Sequence, residues 1–504
     1  MSETTRMPGG LALRQWQSES ATGLDAAAIA VWLALPCLLF CAFIGNVALG
    51  LGFAAAMIIV LPAFRTVAEP HIPVVTLACA LAALALTTLG GEGRLVGATL
   101  DWLVRDAVLH DLIAQPWPFV YRFEGADWLL RAPLGMYLLP AAVGKFAGQY
   151  AATLALWLQN TLALFGILRI LCSAAPAARG ITVLLVFCVF SGWDVPGALV
   201  TNPGAPLPED IGWWAGAFQY SSTMTLAFWV PNHALAGWAV AALLLLWDNG
   251  RIRIGVLMMG TALSIFWSPF ALMGAVPFLL KAGIEALTER RIGWRDVALP
   301  VLLGATLVPL AVYLTSDSAA VPHGFQPLIP EFGHRYAAFV IFELLPFMVI
   351  NVLFGEAGGF TKSTYLVAVG SLILIPFYRM GAANDFVMRA SIPALAVVAV
   401  TTGHTAYAVL RDGRAWRIAV VGIVITLGAL TGVSQLRAIF LAPNNGTSSC
   451  NLIEAWDQDP IGTTSKAHYL VDVTHLPGPL QPRRAQPFPT GPTKARCVDQ
   501  RLKR

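Results

Sequence analysis

The sequence predicts an all-α fold: a polytopic transmembrane helical bundle with an outer-loop helix, an interfacial helix and a small soluble C-terminal tail. Three observations carry this. Of 504 residues, 57% are hydrophobic and 12% charged, whereas soluble domains run nearer ~45–50% apolar and ~25% charged. Mean hydropathy is +0.68. Apolar runs approaching the roughly 20 residues that cross a bilayer recur from residue 27 to residue 436. A net charge of +4 leaves no basic footprint for nucleic acid, so none is expected as a partner.

The elements follow in order. Residues 1–26 form a polar segment without the short basic region that leads into a cleavable signal core, so the first span is expected to be retained. Residues 27–90 hold three spans, at 27–45, 47–64 and 72–90. Residues 91–150 form an acidic, aromatic outer loop. A helical core, 151–436, holds runs at 151–172, 180–196, 224–247, 252–267, 268–282, 297–315, 335–355, 363–378, 390–410 and 417–436. The break at Trp267-Ser268-Pro269 either separates two spans or kinks one, giving about 11–13 in all. Residues 132–147 carry two prolines and Lys145, so they read as a helix lying in the interface rather than as a further span. Residues 437–504 form a tail rich in Pro, Gly, Thr and charge, with Val-Asp-Val at 471–473 as a short strand.

Arginine and lysine in short loops set orientation. Arg169 with Arg179, Arg251 with Arg253, Lys281 with Arg290, Arg291 and Arg295, and Arg411 with Arg414 and Arg417 all fall on one side of a thirteen-span reading. That side is the cytoplasm, and the N-terminus shares it. The loops 91–150, 197–223, 316–334 and 379–389 and the tail then face outward, as in a protein of the bacterial inner (plasma) membrane with a periplasmic C-terminal tail. Cys37, Cys41, Cys79, Cys172 and Cys188 lie in apolar runs, where cysteine behaves as a small hydrophobe. Cys450 and Cys497 stand alone in the tail and can pair if it faces an oxidising compartment.

Chemistry is expected first in the loop 91–131, which concentrates ionisable groups among aromatics. Helical spacing over 100–114 puts Asp101 one turn before Arg105 and Asp106 one turn before His110. Asp101 and Asp106 are about 140° apart around the helix, so they do not share a face. The plainer reading is a salt-bridged loop helix. The functional one makes a carboxylate a base, an acceptor-binding group or a cation ligand. Asp106 and His110 alone do not make a metal site; a divalent cation is compatible with the loop, and its ligands are unknown. Trp117 and its neighbours suit either an interfacial belt or a platform for a sugar ring.

Polar groups within apolar runs are the second signal. Asn232 and His233 follow Pro231 near the outer end of their run. Glu343, Asn160 and His404 lie deeper, where hydrogen bonding between helices is the common role. In the outer turn 378–393, Asn384 or Asp385 can cap the next helix. Arg389 sits in its first turn, where the helix dipole disfavours a cation and an anionic partner is expected. That partner is Asp385 or a lipid phosphate. Arg335 and Arg379 are further candidates to hold that phosphate, and the loop 197–223, with Trp213, Trp214, Gln219 and Tyr220, adds a second polar–aromatic outer segment to the same side.

Together, the acidic helix-bearing loop from Asp101 to Asp111, the run Pro133-Leu134-Gly135-Met136-Tyr137 leading to Lys145-Phe146-Ala147-Gly148, and a long span ending at Arg169 resemble the GT-C superfamily of integral membrane glycosyltransferases. The chain departs from that plan in placing three spans before the acidic loop and in lacking a tight Asp-Asp or Asp-x-Asp pair. The resemblance implies a polyprenyl-phosphate-type sugar donor and a glycan, lipid or protein acceptor, with no certain cofactor. Asp101 or Asp106 would be the catalytic base. Arg105, His110, Asn232, His233, Asp385 and Arg389 would bind substrate, with Arg389 steadying the departing phosphate. Rival readings are a transporter or flippase for a lipid-linked sugar or other polar lipid, a polymerase or ligase of surface glycans, and a noncatalytic scaffold.

Overall fold

The computed structural model describes the chain except residues 1–21, 68–71, 175, 205–210, 217, 329, 357, 382, 442–446, 449, 459–468, 483–484, 490–496 and 498–504. Most of the proposed N-terminal segment 1–26 and much of the tail therefore lie outside the described residues.

The expected apolar runs are all occupied by helices. A short ladder joins β1 (Thr22–Gly23) to β2 (Thr66–Val67), flanking α1 (Asp25–Phe43) and α2 (Val47–Val60). Asn46 caps α2 by accepting from the Leu49 N–H. Pro73 opens α3 (Pro73–Leu89), where a missing N–H costs nothing. The loop helix α4 (Trp102–Ala114) leads to a hairpin of β3 (Phe119–Phe123) and β4 (Ala126–Leu130). Glu124 and Gly125 both have positive φ, as the two-residue turn of a tight hairpin requires. α5 (Leu138–Leu171) is two helices joined at Gly148, whose φ of 84° and ψ of 175° are non-helical. The expected interfacial helix at 132–147 is thus its first limb, starting at Leu138. It is shortened because 132–137 are turns; Gly135 donates its N–H to the Phe266 carbonyl.

The core continues through α6 (Ala177–Val189), α7 (Asp194–Thr201), α8 (Thr223–Trp229), α9 (Pro231–Asp248), α10 (Ile254–Leu263), α11 (Pro269–Thr288) and α12 (Arg295–Thr315). β5 (His323–Phe325) then pairs with β6 (Tyr378–Met380) across α13 (Phe332–Glu343), α14 (Leu345–Phe354) and α15 (Lys362–Leu374). α16 (Asp385–Ala390), α17 (Ile392–Asp412) and α18 (Ala415–Leu441) complete the bundle. Residues Pro231–Trp247 of α9 are all buried, which makes it the central helix.

Among the described residues, eight segments are long and apolar enough to cross a membrane. The number becomes nine if α13 and α14, bent by 42° to each other, count as one. Apolar helices at Pro73–Leu89, Ile254–Phe266 and Lys362–Phe377 are shorter. Side chains such as Ile58, Val301 and Leu353 are well exposed on helix surfaces. Apolar exposure on that scale suits lipid, not water.

The all-α expectation needs one correction. A four-stranded sheet, in the order β7-β4-β3-β8, unites the loop hairpin with tail strands β7 (Leu470–Asp472) and β8 (Gln486–Pro489). The strand expected at 471–473 falls on β7, shifted by one residue. The outer loop and tail therefore form one layer. α19 (Leu452–Trp456) packs against α4 in that layer, and Cys450 and Cys497 are disulfide-bonded.

Ion pairs sort the helix ends. Arg169–Asp25, Arg253–Asp296, Lys281–Asp248 and Arg411–Glu356 lie at one end of the bundle. The loop–tail layer lies at the other, where Asn46 donates to the Pro479 carbonyl and His475 pairs with Asp317. Ser268 reaches His233, far from the basic ends of α10 and α11. The break at 267–269 is thus a turn between two helices, and not a kink within one. The tail layer yields a prediction. Replacing Cys450 with Ser removes a cross-link over a sequence separation of 47 residues, which costs about 2–4 kcal/mol. Limited proteolysis should cut the variant's tail markedly faster than the wild type's; equal rates would show that the sheet alone holds the tail.

Candidate functional site

The site begins at a break in the central helix pair. Val230 leaves helical geometry, with φ −136° and ψ 51°, and Pro231 starts α9. The last carbonyls of α8 are therefore free of helical partners. The loop takes them. Trp102 Nε1 donates to the carbonyls of Gly90 at 3.0 Å and Phe228 at 3.3 Å, and Arg105 Nη2 donates to Trp229 at 2.7 Å.

Arg105 organises the rest. Its Nη1 donates to Asn232 Oδ1 at 3.2 Å and to the Tyr137 hydroxyl at 3.3 Å, and its Nη2 faces Asp101 Oδ2 at 3.5 Å. Burial alone would lower its pKa, but Tyr137 and Asp101 hold it above the ordinary value, so it is a fixed cation. Asn232 also donates to the Trp267 carbonyl at 3.2 Å, and His233 Nδ1 meets Ser268 Oγ at 2.8 Å. Both contacts use the turn between α10 and α11.

Arg389 pairs with Asp385 at 2.8 Å. Both Arg105 and Arg389 lie within electrostatic reach of His233. The tail adds Tyr469. Burial raises its phenol, and its charged neighbours are Arg105, Asp101 and Arg389. Asp101, Arg105, Tyr137, Asn232, His233, Arg389 and Tyr469 thus gather at one end of the bundle. Asp101 is 31% exposed at its side chain, against 7% for Arg105. The buried Nε atoms of Arg105 and Arg389 have no acceptor among the described residues.

Asp106 and His110 take another path. Asp106 forms a buried ion pair with Arg94 and accepts from the Ser448 N–H at 3.3 Å. Burial raises its carboxyl while Arg94 opposes the shift. His110 meets Asp111, not Asp106, at 3.3 Å. Asp111 is fully buried and accepts from the Tyr121 hydroxyl at 2.8 Å and the Leu452 N–H at 2.8 Å. These groups clasp the tail onto α4. Among the described residues, no three His, Cys, Asp or Glu side chains are grouped to hold a metal ion. Comparison with family models, with curated proteins and with solved structures finds no match for this chain.

Other expectations resolve differently. Phe119 and Tyr121 are core residues of the sheet. Trp117 donates to the Leu112 carbonyl and lies under Lys145, which itself donates to the Ile113 and Gln115 carbonyls at the end of α4. That is packing and capping, and not an open ring platform. Asn384 occupies the cap of α16 in left-handed geometry without a side-chain cap bond. Arg335 pairs with Glu331 at the surface. In the loop 197–223, Glu209 and Asp210 lie outside the described residues. Trp214 and Tyr220 turn into the bundle, toward Glu343 and the Leu372 carbonyl. Tyr137 and Tyr469 were missed as site residues. Tyr137 stood in the quoted Pro133–Tyr137 run, but nothing local marks Tyr469.

The clasp should depend on pH. The hydrogen bond to Asp111 raises His110 above its ordinary value of 6.5. Such a group contributes fully below its unfolded pKa, and the contribution is lost as pH rises through the higher folded value. Protease protection of the tail should therefore fall as pH rises past about 6.5, and His110→Ala should flatten that dependence. An unchanged slope in the variant would remove His110 from the clasp.

Proposed function

We propose that the chain is a membrane glycosyltransferase of GT-C type, moving a sugar from a polyprenyl-phosphate-type donor to a glycan, lipid or protein acceptor. The observation that supports this best is the gathering of a part-exposed carboxylate, Asp101, with two guanidiniums from segments far apart in sequence, Arg105 and Arg389. A carboxylate beside fixed cations is what an inverting displacement at an anomeric carbon needs. One group withdraws the acceptor's proton, and others stabilise the phosphate that leaves.

In this reading Asp101 is the base. Its side chain is part-exposed and lies 3.5 Å from Arg105 Nη2. Asp106 is bound by Arg94 and Ser448 and serves the tail clasp instead. Arg389 faces the departing phosphate, oriented by Asp385, while Asn232 and His233 contact the sugar or phosphate. Tyr137 and Tyr469 stand beside these groups. The reading puts the site on the extracytoplasmic face of a bacterial inner membrane, a sidedness supported by the Cys450–Cys497 disulfide, since such bonds persist in oxidising compartments.

One observation favours the transporter or flippase reading: α13 and α14 are bent at a buried acidic residue, Glu343, and broken helices with intramembrane carboxylates occur in secondary transporters. Transport of a lipid-linked sugar without a covalent product would support it.

Asp101→Asn keeps an acceptor oxygen toward Arg105 and removes only the basicity. Transfer from a polyprenyl-phosphate sugar, assayed with purified protein, should fall by about 10²–10⁴-fold with the thermal midpoint unchanged. Full activity in this variant would eliminate the assigned base.

A further inference from the structure

Ser268 is the last residue before α11, and its side chain meets two helices. Its backbone is extended, and Pro269 takes the first helical position. Its Oγ accepts the Ala271 N–H at 3.0 Å, which caps α11. The same Oγ lies 2.8 Å from Nδ1 of His233, in the first turn of α9. Neither side chain has another hydrogen-bond partner among the described residues. Ser268 is 0% exposed.

These contacts constrain where the hydrogens sit. A hydroxyl has one hydrogen and two lone pairs. Ala271 takes one lone pair of Ser268. Were His233 to carry a hydrogen on Nδ1, as one neutral tautomer or as the cation, it would donate to the second lone pair. The serine hydrogen would then lie in a sealed place without an acceptor, which is the costly arrangement for a buried donor. With the imidazole hydrogen on Nε2 instead, Nδ1 is a lone pair, the serine hydroxyl donates to it, and every group at the contact is matched. Neighbouring cations oppose the charged form as well. α16 is pressed onto α11, because a Cβ on Gly274 would stand 1.9 Å from the Ala390 carbonyl oxygen, and Arg389 is the residue before Ala390. Asn232, the residue before His233, accepts from Arg105.

Nε2 of His233 has no partner among the described residues. His233 keeps 5% exposure where Ser268 has none, so an unmatched hydrogen on Nε2 can be met by a molecule entering the site, and one on Ser268 cannot. We propose that Ser268 is a positioning residue: it fixes His233 as the neutral tautomer with its hydrogen on Nε2, and His233 thereby offers an uncharged N–H donor to an oxygen of the ligand and does not act as a base. The ligand this suits carries an electron-rich oxygen. Naming that oxygen as one of a donor phosphate rests on the glycosyltransferase reading; the tautomer does not.

Solid-state NMR of the full-length protein in lipid bilayers at neutral pH, with nitrogen-15 in the histidine rings, tests it. His233→Gln shows which ring resonances belong to His233. The wild type should carry a hydrogen on Nε2 and none on Nδ1. Ser268→Asp keeps a capping oxygen but has no hydrogen to give, so Nδ1 should become protonated. Ser268→Thr keeps the hydroxyl and should keep the wild-type pattern. Should Ser268→Asp not fold, Ser268→Ala must show both tautomers in place of one. A wild type protonated on Nδ1, or a pattern that neither Asp nor Ala at this position alters, overturns the proposal and leaves Ser268 a helix cap alone. Adding a polyprenyl phosphate should move the Nε2 resonance without changing its protonation. An unmoved Nε2 resonance overturns the phosphate as its ligand, a failure of the glycosyltransferase reading that the tautomer measurement keeps separate.

Discussion

The site end of the molecule depends on one buried cation. Arg105 donates to a backbone carbonyl at the end of α8, a side-chain amide on α9 and a phenol at the head of α5, and it holds Asp101 on its own helix. A charge taken out of water needs partners for its donors; these four partners meet both Nη groups, though not the Nε, so the fan holds all four positions together. Lysine could not replace it: a single ammonium cannot span acceptors arranged around a planar fork. The helix break at Val230–Pro231 is what makes the fan possible, because an unbroken helix would have consumed the Trp229 carbonyl.

A second buried charge, on Asp111, performs the equivalent task for the tail. From α4 it meets its neighbour His110, the Tyr121 hydroxyl of the nearby strand β3 and, 341 residues away, the Leu452 N–H at the start of α19. The sheet continues the same junction through backbone bonds, with β3 central between β4 and β8. Loop and tail thus behave as one layer laid across the end of the bundle, and Tyr469 is delivered to the site as a by-product of that docking.

The helices were legible because a twenty-residue apolar run has few alternatives in a folded chain. A helical limb before the long span was legible in the run leading to Lys145, although the hinge that separates it lies at Gly148, a residue without any pattern of its own. The divergence of Asp101 from Asp106 followed from helical geometry alone, and it decided which carboxylate stays part-exposed. The hairpin was missed. Phe119–Leu130 reads as an aromatic belt, and the turn signal Glu124-Gly125 is weak beside it. The pairing of Cys450 with Cys497 was open until their positions were known. Asn232 and His233 could be singled out because each broke a local rule, polarity within an apolar run; the first-turn placement expected for Arg389 is corrected, since α16 has only six residues and carries Arg389 in its last turn, where the dipole favours a cation. Tyr469 broke none, because what places it is a strand pairing with residues more than three hundred positions away.

That separation bears on how the molecule is made. The clasp partners of α4 emerge long after it; Asp111 meets Leu452 across 341 residues. Chains fold as they are synthesised, N-terminal portions first. Until the final tail segment has been delivered to the same side as α4, the β3–β4 hairpin carries open edges, and Asp106 and Asp111 lack their backbone donors. Closure of the layer therefore waits on a segment made long after α4: a product stalled before Ser448 would hold the helices of the bundle yet leave the layer above it open.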